Sequence, residues 1–209
     1  MRCIFILLAI LCSSGCSLMF PTEAGDHLPG FDRAAPALNT LAPNFSLRTT
    51  DGDTLTLHDL IGERPVVVQL GSYTCPVFRY RRFDLQPLRA EYGDRVHFVV
   101  VYTTEAHPVG APSPYRDEEW VPWINRLTRV DLGQPSSAEE RLAQARWAQE
   151  AMSSNAQFAV DGQDDAVWRR WGAAPSPAFV LDRDGQVVLR QAWVEPKALR
   201  STLDALLEP

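Results

Sequence analysis

The chain has 209 residues, a formal net charge of −6, 45% hydrophobic and 22% charged residues. These are the proportions of a soluble globular protein, long enough for one well-cored domain and an N-terminal extension. The acidic balance argues against nucleic acid as a partner, and the arginines at Arg79, Arg81 and Arg82 read as a solvated helix face.

Met1-Arg2 gives a positive start, and residues 4–12 are apolar but too short to span a bilayer as a helix. Ser13-Ser14-Gly15-Cys16 follows and resembles the lipobox of bacterial lipoproteins, although Ser13 stands where that pattern prefers Leu. This resemblance implies a signal peptide over residues 1–16 and a lipid on Cys16. Ser17 resembles the sorting signal for the outer membrane, so the expected site is the periplasmic side of a bacterial membrane. An ordinary cleaved signal peptide, with a secreted soluble product, is the alternative. Residues 17–42 are rich in Pro, Gly, Ala and polar residues and read as a flexible tether before a domain over residues 43–209.

In that domain, residues 44–47 and 54–57 alternate around Asp51-Gly52 and predict a short N-terminal β-hairpin. Residues 66–70 form a continuous apolar run, the mark of a strand buried on both faces. A helix follows from Cys75, with Pro76 at its first position and Phe78, Leu85, Leu88 and Tyr92 on one face. Residues 96–102 predict a second buried strand. The proline-rich stretch 105–135, with Trp120 and Trp123, predicts an insertion or lid. Ser136 and Ser137 with Glu139 and Glu140 offer capping boxes for a helix reaching Met152. Strands at 157–160, 178–181 and 187–189, a short helix at 164–171 and a last helix carrying Leu199, Leu203 and Leu206 complete the pattern. This order describes an α/β, thioredoxin-like fold with an insertion after the second core strand. Such a fold expects a cis proline before the third core strand, and Pro177 is the candidate.

Four cysteines are present. Cys3 and Cys12 fall in the removable segment and Cys16 at the lipobox, which leaves Cys75 as the single thiol of the domain and excludes an internal disulfide. His27, His58, His97 and His107 lack metal-ligand spacing, so no metal is expected. Cys75 stands where a strand hands over to a helix. Unpaired N–H groups and the helix dipole there favour a thiolate, so a lowered pKa is expected. The strand that should neighbour it ends in Glu105-Ala106-His107. In extended backbone Glu105 and His107 share a face, so the carboxylate could orient an imidazole that moves protons. Ser72 and Thr74 could donate to the sulfur, and Arg79 could add positive charge.

Two segments carry a resemblance. Gly71-Ser72-Tyr73-Thr74-Cys75-Pro76-Val77-Phe78 resembles the Gly-Ser-x-Thr-Sec-Pro-x-Phe segment of the iodothyronine deiodinases, and Val101-Tyr102-Thr103-Thr104-Glu105-Ala106-His107 is similar to their Val-Tyr-Ile-Glu-Glu-Ala-His. Glu140-Arg141, Val160-Asp161 and Trp171-Gly172-Ala173 fit the same layout. Cysteine replaces selenocysteine, Tyr73 stands where some members have a second cysteine, and Thr104 replaces the first Glu.

The resemblance implies a thiol-dependent oxidoreductase. Cys75 attacks a halogenated or oxidised small molecule, His107 and Glu105 handle the proton, and Ser72, Thr74, Arg79 and Pro177 support. No cofactor is bound; an external thiol regenerates the cysteine. The implied partners are the substrate, the thiol electron donor and a membrane reached through the lipid; a homodimer stays open as an assembly. Two other readings stand beside it. Ser72-Tyr73-Thr74-Cys75 is similar to the Thr/Ser-x-x-Cys element of one-cysteine peroxiredoxins, and a lid with Trp120 and Trp123 would suit a non-catalytic binding module.

Overall fold

The computed structural model describes Leu28 and residues 30–208; the segment ending at Cys16 and the first part of the expected tether lie outside the described residues. The apolar runs at 66–70 and 96–102 become the two central strands, β3 (Val66–Gly71) and β4 (His97–Tyr102). They are parallel and in step from Val66 opposite His97 to Gly71 opposite Tyr102, so both end at the same level. β5 (Gln157–Val160) runs parallel to β4, while β6 (Ala178–Leu181) and β7 (Val187–Gln191) extend the β3 side antiparallel. The expected hairpin, β1 (Ser46–Thr49) and β2 (Thr54–Thr56), turns through Gly52 at φ +103 and adds β1 antiparallel to β5. The order across the seven strands is β2-β1-β5-β4-β3-β6-β7. A residue in αL conformation at the turn is why glycine serves there.

Strand alternation divides the apolar residues between two layers. Val66, Val68 and Leu70 of β3 face a core with Phe45, Trp171, Phe179 and Leu181. On the other side Val67 packs with Leu85, Leu88 and Tyr92 of α2 (Pro76–Tyr92) and Leu199 and Leu203 of α6 (Pro196–Leu207). Val100 and Tyr102 of β4 pack with Val77 and Phe78 of α2 and Leu142, Ala145 and Ala148 of α4 (Ala138–Ala151). Burial on both faces is why β3 carries no polar alternation. Between β4 and α4 lies the expected insertion, holding only the short α3 (Trp123–Leu127). The start of α4 is capped by Ser137, which accepts from Glu140 N–H, while the Glu140 carboxylate returns to Ser136 N–H at 2.7 Å.

Two expectations are corrected. Much of the expected tether over residues 17–42 is packed structure: α1 (Phe31–Ala34) and the chain to Ala42 lie on the sheet. Phe31 is 5% exposed and its ring lies 5.9 Å from that of Phe179. Asn39 N–H donates to the Val187 carbonyl at 2.9 Å, and Leu41 bridges Gln186. The segment is short and proline-rich, so it shows no periodicity, yet its few apolar side chains cover a face the long helices leave open. Gly172, at φ +100, sits so close to Phe31 that a Cβ would overlap the ring. Pro177, the expected cis proline, is trans, as is every described peptide bond. Its carbonyl accepts from Leu70 N–H at 3.0 Å and Ser176 bridges Trp193, so the chain enters β6 extended in the conformation an X–Pro bond prefers.

Phe31→Ala should therefore destabilise the whole domain by about 3 kcal/mol through lost burial and a residual cavity. A fall in the urea midpoint measures it, and an unchanged midpoint would return this segment to the tether.

Candidate active site

Cys75 is the N-cap of α2 and Pro76 its first residue. Proline at that position has no N–H to orphan, and it fixes the entry angle of the helix. The turn before it is tight: Cys75 N–H donates to the Ser72 carbonyl at 3.1 Å. Gly71 closes the strand beneath, where a Cβ would overlap the Phe78 ring. The sulfur receives the N–H groups of Val77 and Phe78, the helix-end environment expected from sequence.

The thiol is nevertheless not activated. Cys75 is 1% exposed, and burial pushes its pKa up to about 11. The helix N–H groups and the Arg79 charge pull the other way and are outweighed, while Glu105 adds a small push upward. The expected lowered pKa is corrected for that reason: the helix end is present, but the sulfur is buried in an apolar cluster with Phe78, Tyr102 and Ala106, and desolvation of the thiolate is the larger effect.

Thr74 shows how the insertion closes the site. Its N–H donates to Glu105 Oε2 at 2.9 Å, its Oγ1 accepts from His107 N–H at 2.9 Å, and its carbonyl accepts from Asn125 Nδ2 at 2.7 Å. Ser72 Oγ accepts from Ala106 N–H at 3.0 Å. The hydroxyls of Ser72 and Thr74 donate to Glu105, not to the sulfur, which corrects their expected place.

Glu105 is fully buried. Tyr102 OH donates to its Oε1, and Gln134 holds both its backbone groups, accepting from Glu105 N–H at 3.0 Å and donating to its carbonyl at 2.8 Å. Burial raises the Glu105 pKa against the lowering effect of its donors, Thr74 first among them. The same burial, with the neighbouring carboxylate, holds Tyr102 well above the usual phenol range.

His107 is not oriented by Glu105. Its Nδ1 lies 3.0 Å from the Trp120 carbonyl, and its ring meets Trp120 edge-on at 4.4 Å. A carbonyl only accepts, so Nδ1 carries the proton and Nε2 is the bare nitrogen. Burial lowers the pKa to about 4; the Trp120 contact opposes this, and Arg79 and Arg116 add to it. The expected Glu105–His107 pair assumed extended backbone. β4 ends at Tyr102, and beyond it the chain is irregular, so the two-residue period no longer applies. Both residues still attach to the Cys75 turn through Thr74, Glu105 by its carboxylate and His107 by its backbone N–H.

Arg79, expected on a solvated face, is buried. Its guanidinium donates to the Tyr73 carbonyl at 2.5 Å and to Asn125 Oδ1 at 2.7 Å and lies 5.2 Å from the Tyr73 ring centre. Asn125, fully buried on α3, thus ties the insertion to both Thr74 and Arg79. Neither Asn125 nor Gln134 was singled out by sequence. Their only signal was an amide amid prolines and arginines in a stretch read as a lid. Pro177 stands on the far side of β3 from β4, where its carbonyl pairs with Leu70 near the carboxyl end of that strand.

Comparisons with known proteins bear on the family and the fold. The sequence profile described as "Iodothyronine deiodinase" matches residues 25–194. Thyroxine 5-deiodinase of Gallus gallus is 26% identical over 83% of this chain and 65% of its own length. Type I iodothyronine deiodinase of Xenopus laevis is 25% identical over 71% and 54%, and thyroxine 5-deiodinase of Ovis aries 31% over 52% and 34%. The chain thus spans between about a third and two thirds of these relatives. Among solved structures, the thioredoxin domain of a thiol-disulfide oxidoreductase from Bacteroides vulgatus superposes with a TM-score of 0.59 at 14% identity, covering 83% of this chain and all of that one. A putative thiol:disulfide interchange protein DsbE from Chlorobium tepidum gives 0.58 at 17% identity, again covering 83% and 100%. At such identities these likenesses establish the fold, which is thioredoxin-like.

Two measurements follow from the geometry. Asn125→Ala should speed alkylation of Cys75 by iodoacetamide at least about tenfold at neutral pH, while lowering stability by roughly 1–3 kcal/mol from the unpaired partners. In the unaltered protein the alkylation rate should climb with pH toward about 11; a plateau near pH 7 would show an activated thiol instead. Second, a buried His107 of lowered pKa leaves the unfolded state with the extra proton between pH 6.5 and about 4. Its contribution is full above pH 6.5 and is lost as pH falls, by about 3 kcal/mol at pH 4. His107→Asn should flatten that part of the stability profile in urea titrations.

Proposed function

Since the chain belongs to the iodothyronine deiodinase family, we propose that it is a thiol-dependent oxidoreductase in which Cys75 reductively removes a halogen, iodine first, from an aromatic small molecule. The observation that carries this is the Thr74 junction, which joins the two segments of family resemblance at the residue before Cys75. The Cys75 thiolate attacks iodine. The C–I bond breaks, its electron pair stays on carbon, and carbon takes a proton to give C–H. Sulfur, oxidised by two electrons, holds the iodine as a sulfenyl iodide. An external thiolate attacks that sulfur and releases iodide, leaving a mixed disulfide; a second thiolate frees Cys75, which takes back a proton. In the tautomer set by the Trp120 carbonyl, His107 keeps a bare Nε2, which would receive the thiol proton if opening of the site brings the two together. Opening is required first, because a thiol of pKa about 11 is almost wholly protonated at neutral pH.

Cysteine in place of selenocysteine makes the attack slower, so the natural substrate need not be an iodothyronine. A second reading is a non-catalytic thioredoxin-like module. The buried, unactivated thiol favours it, as does Trp123, 61% exposed on the lid. Export fits both readings: Cys16 would carry lipid after removal of the preceding segment, with the domain on the periplasmic side.

Full-length protein in detergent, given dithiothreitol and iodinated tyrosines or thyronines, should release iodide, and Cys75→Ser should abolish the release. No iodide, with stoichiometric sulfenylation by hydrogen peroxide, would favour a peroxidase; neither reaction would favour the binding module. Cys16→Ser should abolish incorporation of a fatty-acid probe in cells.

A further inference from the structure

A second buried polar group lies further along α2 from the Cys75 turn, beside a cleft that Phe78 also lines. Arg89, in the last turn of α2, is 8% exposed. Its Nη2 donates to Gln69 Oε1 and its Nη1 to Ser154 Oγ, each at 3.2 Å. Its Nε has no acceptor, and neither has Nε2 of Gln69, which is 3% exposed on β3. Both side chains line a small cleft with Arg82, Phe78 and Ser154; no carboxylate lines it. Burial lowers the Arg89 pKa to about 10 with no anion to oppose it, so the guanidinium stays charged at neutral pH. Ser154 Oγ already accepts from Arg89 and from Ala156 N–H, which leaves its own hydrogen as a further donor.

The cleft therefore offers positive charge and two donors left over, Arg89 Nε and Gln69 Nε2, after its acceptors Gln69 Oε1 and Ser154 Oγ have been used by Arg89. A buried cation in this condition is costly unless something negative sits beside it. The space is about 10 Å³, room for one water-sized occupant. A carboxylate or phosphate is too large. Water would accept from two of the donors, but it carries no charge to set against the guanidinium. We propose that this cleft binds one monoatomic halide ion, chloride in the resting protein, held by Arg89 Nε and Gln69 Nε2. The site is separate from the reading of Cys75 as a nucleophile and stands whether or not the protein dehalogenates. Phe78 lines the cleft and packs on Gly71, so the ion would support the first turn of α2 from below.

The test is a thermal melt of the full chain in sodium gluconate, whose anion cannot enter, with sodium chloride or bromide substituted at constant ionic strength. The melting temperature should rise saturably, by roughly 5 °C at a hundred-fold excess over Kd. Gln69→Leu keeps the charge and removes one donor, and it should weaken the halide effect at least tenfold. Bromide-grown crystals of the unaltered protein should show an anomalous peak between Arg89 and Gln69, a readout that holds even if Gln69→Leu fails to fold. A melt indifferent to halide, an unaltered response in Gln69→Leu, or a bromide map with no peak there overturns the proposal.

Discussion

Every part of this structure that bears on chemistry depends on how Thr74 is held. Its N–H, hydroxyl and carbonyl are all engaged by residues after β4: Glu105, His107 and Asn125. A turn at a helix start would ordinarily offer such groups to solvent or substrate. Here they close the insertion over the neighbouring sulfur. The balance at Cys75 is then decided by burial, which outweighs two helix N–H groups and a nearby guanidinium. The state of the thiol in this arrangement is accordingly set by its burial.

The network around that knot is polar, buried and almost fully paired. The amides of Asn125 and Gln134 suit it because each gives and takes at once: Asn125 donates to Thr74 and accepts from Arg79, and Gln134 does the same with the two backbone groups of Glu105. Neither a carboxylate nor a lysine could serve both sides. Satisfied networks of this kind favour one arrangement, since any shift leaves a buried group unpaired. The contrast with Arg89 and Gln69 is instructive. There the pairing stops short, with donors left over, and the same physics asks for an occupant.

Several residues that fit the family layout have structural duties. Arg141 forms a buried ion pair with Asp165 at 2.7 Å and ties α4 to the loop after β5. The Asp161 carboxylate accepts from Val167 and Trp168 N–H and so caps the short helix Ala166–Arg170. Trp171 fills the core against Phe45 and Phe179, and Gly172 makes room for Phe31. Their spacing belongs to the scaffold, and only the Gly71–Phe78 and Glu105–His107 segments meet at the sulfur.

The sequence by itself determined the order of elements, the two central strands, the hairpin at Gly52 and the place of Cys75 at a helix start. Those features follow from local periodicity and from the fixed habits of proline and glycine, which are written along the chain. It could not determine that residues 31–42 belong to the packed body, because a handful of apolar side chains without periodicity carries no local signal. Nor could it assign Asn125 and Gln134, since an amide becomes part of a site only through partners distant in sequence. The state of the thiol was decided by tertiary structure for the same reason. A helix end is local and lowers a pKa, but desolvation depends on what the rest of the chain places over the sulfur, and here that covering is the stronger force.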